Sequence, residues 1–143
     1  MSDRLEHLPF ARLLDIRITD AGEGRAVGRI DLQEKHTSNP ASGIAHGGVP
    51  YALADTVAGA AAGSVNASVT PTIDMRIDYL QPSVGEYIEA EAEVVRNGNS
   101  VSTVDVEVRD DAGDLVATAR GTFKSSGSTG TSPWEADRDG GEP

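Results

Sequence analysis

The chain has no cysteine, which excludes a disulfide framework, thiolate metal ligands and a cysteine nucleophile. Aromatic residues make up only 4% of its 143 positions, so a core has to be assembled from Val, Ile, Leu and Ala. Lysine occurs twice, at Lys35 and Lys124. No apolar run approaches the ~18 residues that a membrane span requires. The opening MSDRLEHLPF carries charge too early for a secretory signal. These absences lead to the expectation of a cytoplasmic protein without membrane association, and the length suits one domain with a modest core.

Acid is in excess: 23 Asp and Glu against 12 Lys and Arg, a net charge of -11. That field repels phosphate backbones, so nucleic acid is not an expected partner. An acid-rich, lysine-poor composition also resembles that of halophilic proteins, in which salt screens the self-repulsion.

Hydrophobic patterning sets the elements. Residues 3–13 place Leu5, Leu8 and Leu13 near one helical stripe that Pro9 interrupts, which predicts a short, kinked helix. Two strand-like runs, LLDIRITDA and RAVGRIDLQE, flank a Gly-Glu-Gly turn at 22–24. HTSNPASGIAHGG has the composition of a long loop. GGVPYALADTVAGAAAGSV is almost uncharged, with Val49, Leu53 and Val57 four residues apart and Pro50 suited to a first turn; it predicts a buried central helix. Four further strands follow, read as a meander. Ile73, Met75, Ile77 and Tyr79 alternate in the first of them, and Val101, Val104, Val106 and Val108 recur in the third. The fold class is α+β, a sheet wrapped around one helix. The domain is expected over 1–124, with a disordered acidic tail at 125–143.

Chemistry concentrates around the central helix. Between Thr37 and Ile73 the ionisable side chains are His46, Tyr51 and Asp55. A carboxylate inside an apolar helix requires a partner or water, and burial raises its pKa toward the range of a general base. Asp55 on a solvent-facing edge is the plainer alternative. His46-Gly47-Gly48 lies at the helix start, where free amides and the helix dipole favour developing negative charge. The glycines could equally serve only to bend the chain. Gly48 and Asp55 are seven residues apart, ~10 Å along the axis, so one reacting carbon reaches both only if a second helix supplies one of them. A two-fold dimer with a shared site would do so. No cluster of His, Asp and Glu has metal-ligand spacing, and no GxSxG elbow is present.

NPASGIAHGGVPYALAD, TIDMRIDYLQP and VATARGTFK together resemble the phenylacetate-pathway type of hotdog acyl-CoA thioesterases, over roughly residues 10 to 124. The resemblance implies a hotdog fold, an antiparallel sheet around a long central helix, assembled as a homodimer and further as a homotetramer. It implies that the Gly47 amide polarises the thioester carbonyl with Asn39 assisting. Asp55 of a partner chain would activate water or attack directly, Thr72 would orient that water, and His46 would support the carbonyl or the leaving thiolate. Gly48 and Tyr51 would line the substrate site. The segment Arg96, Asn97, Gly98, Asn99 and Ser100 falls where relatives meet the CoA phosphates. The expected substrate is an aryl- or medium-chain acyl-CoA, with no cofactor beyond the CoA of the substrate and no metal. Three positions depart from the family pattern. Asn39 is one residue farther from His46, Asn99 stands where a Lys or Arg is frequent, and Gln81 replaces a frequently basic residue before Pro82, which leaves Arg96, Arg120 and Lys124 as alternative phosphate contacts. The alternative function is a non-catalytic acyl-CoA sensor.

Overall fold

In the computed structural model, described at Leu5 and over residues 7–125, Pro9 opens a short helix. Helix α1 runs Pro9–Leu14, with proline in its first turn and a left-handed Asp15 after its end. Proline suits that place because the first amides of a helix have no helical acceptor. The chain is helical at Leu5 and again from Pro9, with a turn at His7 and Leu8 between them. Strands β1 (Arg17–Gly22) and β2 (Arg25–Asp31) form the expected hairpin. Glu23 and Gly24 both have positive φ, 53° and 81°, the backbone of a tight two-residue turn matched to strand twist.

The segment expected as loop is more ordered than its composition suggests. A single 3-10 turn (Glu34–His36) leads into short strands β3 (Thr37–Asn39) and β4 (Ile44–Ala45). Buried His36 accepts from the Gln33 amide at Nδ1 and donates from Nε2 to the Leu14 carbonyl, both at 2.9 Å. This histidine ties the loop to the end of α1.

Helix α2 (Gly48–Asn66) is the central helix. Val49, Leu53 and Val57 are buried, as are Ala54, Ala58 and Ala60–Ala62. Each fully buried Leu or Val stabilises by ~1.5–3 kcal/mol, and the alanines let the sheet approach closely. At Gly28 of β2, an added methyl would lie 2.5 Å from a Val57 methyl.

The remaining strands are β5 (Thr72–Tyr79), β6 (Tyr87–Asn97), β7 (Val101–Asp110) and β8 (Leu115–Lys124). The sheet order is β1-β2-β6-β7-β8-β5, antiparallel throughout. Only β6-β7-β8 is a meander. The expected four-strand meander is corrected at β5, which crosses to the far edge and pairs with β8. Its link to β6, residues 80–86, is too long for a tight hairpin. As an edge strand β5 buries little: Met75 is 8% exposed, while Ile73 and Tyr79 are 57% and 53% exposed. In β7 the inward residues are Ser102, Val104, Val106 and Val108, so Val101 is out of phase with the others. Ser125 is described and bonded, its amide to Ser100 O and its hydroxyl to Gly98 O. The rest of the expected tail, 126–143, lies outside the described residues. Among the described residues no helix is long and apolar enough to cross a membrane.

Candidate active site

Asp55 sits midway along α2, on the side where the sheet ends at β5. It is half-buried, and the Thr72 hydroxyl at the start of β5 donates to its Oδ1 at 2.8 Å. Burial pushes the carboxyl above its ordinary value of 3.8, and the Thr72 hydrogen bond opposes this in part. Both side chains line a cavity of about 390 Å³ whose remaining walls are mainly apolar. Leu5, Leu8, Phe10 and Ala11 close it from the N-terminal segment, and Gly59 of α2 and Phe123 of β8 form its floor.

The helix start is a second, separate arrangement. His46 Nδ1 accepts from the Gly48 amide at 2.8 Å, which caps the helix and leaves the ring proton on Nε2. The Gly47 amide has no acceptor among the described residues. Its carbonyl accepts from the Tyr79 hydroxyl at 2.7 Å, and the Tyr51 hydroxyl donates to Met75 O at 2.8 Å. Two phenols thus cross between α2 and β5. Burial, and then the neighbouring Tyr51 phenol, push the Tyr79 pKa up, so at neutral pH it remains a donor. The glycines have a role inside the chain as well. An added methyl at Gly47 would meet Tyr79 Oη at 3.3 Å, and at Gly48 it would meet His46 Nδ1 at 3.1 Å.

Of the residues expected to form the site, the structure joins Asp55 with Thr72, and His46 with Gly47, Gly48 and Tyr51. Within one chain it does not bring the two groups together, since the cavity at Asp55 includes no residue of the helix start. Asn39 lies in β3, and its Oδ1 accepts from the Ala41 amide at 3.1 Å, a local turn contact. Gly98, Asn99 and Ser100 form the β6–β7 turn, with Asn99 and Ser100 exposed, and exposed Arg96 lies near the end of β6. Asn97 faces the other way: its Oδ1 accepts from Asn66 Nδ2 at 3.2 Å and from the Ser102 hydroxyl, tying the end of α2 to the hairpin. Arg120 is already engaged by Asp105 through two hydrogen bonds, at 2.6 and 2.9 Å.

Three features were missed by sequence reasoning. Tyr79 reads as one member of an alternating strand, and only the scarcity of tyrosine, three in the chain, set it apart. Thr70 lines the cavity with its hydroxyl unpartnered, and the N-terminal leucines and Phe10 cover it. Nothing local in the sequence marks either. Among the described residues no three His, Cys, Asp or Glu side chains converge as a metal site.

Residues 42–117 match the thioesterase superfamily. A Halobacterium salinarum protein named as an esterase is 37% identical over 123 residues, covering 78% of this chain and 80% of its own. The medium/long-chain acyl-CoA thioesterase YigI of Escherichia coli is 30% identical over 132 residues, covering 82% and 85%. A solved structure of the phenylacetic acid degradation protein PaaI from Thermus thermophilus superposes with a TM-score of 0.74 at 31% identity, over 82% of this chain and 99% of that one. With its antiparallel sheet around one long helix, the chain is a hotdog protein and belongs to the thioesterase superfamily.

Proposed function

We propose that the protein hydrolyses acyl-CoA thioesters, RCO–SCoA plus water giving RCOOH and CoASH, with Asp55 as the catalytic carboxylate. The observation that carries this is a half-buried carboxyl with a raised pKa, held by Thr72 at one wall of an apolar cavity. A base is most useful when its pKa approaches the working pH, and burial moves Asp55 in that direction. Asp55 either draws a proton from the attacking water or attacks the carbonyl itself; Thr72 orients it. The cavity, at about 30 Å³ for a water-sized group, holds on the order of ten non-hydrogen atoms, the size of an arylacetyl or medium acyl group.

The carbonyl oxygen gains negative charge as the tetrahedral intermediate forms, and the Gly47 amide at the positive end of α2 is suited to receive it. That amide lies about two helical turns from Asp55 of the same chain. The catalytic unit is therefore a homodimer in which one chain supplies Gly47 and His46 and the other Asp55 and Thr72; dimers pair further into a tetramer. The open edge of β5, with its exposed Ile73 and Tyr79 and with Leu80 just after it, supplies apolar surface for such pairing. His46 Nε2–H assists at the carbonyl or the leaving thiolate. Exposed Arg96, Asn99 and Ser100 remain for the nucleotide end of CoA, and no cofactor takes part.

The test is thiol release from a panel of acyl-CoAs, at low and at molar salt, by the wild type and Asp55→Asn. The expected loss is ~10²–10⁴-fold, the usual worth of a general base. Full activity in the variant would remove Asp55 from the mechanism. Tight binding of CoA esters without cleavage by the wild type would make the protein an acyl-CoA sensor.

A further inference from the structure

The cavity beside Asp55 contains a polar atom that thioester hydrolysis does not use. Thr70 is 7% exposed, and its hydroxyl is the buried side-chain atom without a hydrogen-bond partner among the described residues. Buried hydroxyls are rarely left in this state, because they give up water and receive nothing in return. The Thr70 side chain lines the same cavity as Asp55 and Thr72, with Val69, Pro71 and Phe123 as apolar neighbours. A residue selected only to fill that wall would be valine, which has the same shape and no desolvation penalty.

Position along the chain defines what the hydroxyl can reach. Thr70 and Thr72 are two residues apart, a separation of at most ~7 Å. Thr72 marks the reacting end, since its own hydroxyl is spent on Asp55 at 2.8 Å. An acyl group whose carbonyl lies at Asp55 therefore brings atoms a few bonds farther along its chain to Thr70.

We propose that Thr70 is a specificity-determining residue that hydrogen-bonds an oxygen carried on the acyl chain a few bonds beyond the thioester carbonyl, so that hydroxy- or oxo-acyl thioesters are preferred over plain alkyl ones. The inference rests on the cavity being the acyl site of the proposed hydrolysis. A site built around a hydrogen bond discriminates strongly against a ligand that lacks it, because the site's own polar group is then left unpaired.

The experiment compares kcat/KM for octanoyl-CoA with that for its 2-, 3- and 4-hydroxy derivatives, using wild type, Thr70→Val and Thr70→Ser. The wild type is expected to prefer one hydroxy isomer by roughly 5- to 100-fold, the range of one buried hydrogen bond. Thr70→Val should bring that ratio to about one, and Thr70→Ser should retain the preference. Because each ratio is taken within one protein, a loss of folded material cancels. A wild-type ratio near one for all isomers, or a preference unchanged in Thr70→Val, overturns the proposal and leaves the hydroxyl to water. The same compounds are titrated into Asp55→Asn by calorimetry. Hydrolysis without preference defeats this inference alone. Selective binding without hydrolysis by the wild type defeats the thioesterase proposal alone, and absence of both binding and hydrolysis defeats the two together.

Discussion

Asp55→Asn keeps the shape of the side chain and the oxygen that accepts from Thr72 at 2.8 Å, but removes the negative charge. The consequence for stability has the opposite sign from the consequence for activity. Burial holds the folded carboxyl above its ordinary value of 3.8, so the folded protein binds this proton more tightly than the unfolded chain does. Stability from the protonated group is fully present below about pH 4 and is lost as pH rises through the raised folded value. Above that point the wild type carries a constant penalty for an ionised group in a mainly apolar setting, and the amide does not. Because the side chain is only half-buried, the penalty is on the order of 1 kcal/mol, or roughly 4 °C in Tm for a domain of this size. Urea unfolding at pH 8 and at pH 4 reads it directly. The variant should be more stable at pH 8, and the two proteins should converge at pH 4. A variant equal to or weaker than the wild type at pH 8, or an advantage of the same size at both pH values, would refute the reasoning that burial strains this carboxylate.

Thr72→Val removes the one contact that lowers the Asp55 pKa. The acid limb of kcat/KM should move to higher pH, with more activity lost at pH 6 than at pH 8; a uniform loss would assign Thr72 no role through Asp55. Gly28→Ala places a methyl 2.5 Å from a Val57 methyl and 3.0 Å from the Arg17 carbonyl. It should destabilise by ~1–3 kcal/mol, and adding Val57→Ala should recover part of that in a double-mutant cycle. The net charge of -11 leads us to propose salt-dependent stability. Raising salt to 1 M, where the Debye length is about 3 Å, should raise Tm by several degrees, and an unchanged Tm would mean that self-repulsion is not limiting.

Local patterns made the helix and most strands legible. Val49, Leu53 and Val57 report a buried face through spacing alone, and the Gly-Glu-Gly turn demands its hairpin. Asp55 stood out because a charge in an apolar helix needs a reason. Strand order was not legible. β5 has the same alternation as an interior strand, and its place at the edge is decided by where α2 and the 80–86 connection leave it. That position also explains why Ile73 and Tyr79 are exposed although they keep the inward phase. Asn97 had the composition and place of a ligand contact, but its amide oxygen goes to Asn66 and Ser102. Thr70 carried no local signal at all, because an empty hydrogen bond exists only once three-dimensional neighbours are known.

The alanines of α2 have a consequence for how such a domain can diversify. Ala58 and Ala60–Ala62 have no exposed surface, and the sheet is already within methyl distance at Gly28. Enlarging any of these buried side chains forces the sheet away, so the inward face of the helix that carries Asp55 tolerates little change in size. The cover over the cavity is built differently: Leu8 and Phe10 of the N-terminal segment are 44% and 61% exposed and touch the core on one side only. Exchanges there cost little folding energy and reshape the cavity beside Asp55 directly. Under the proposed hydrolysis, the chemistry is thus fixed with the helix, while the acyl group accepted is free to change through a few residues at its front end.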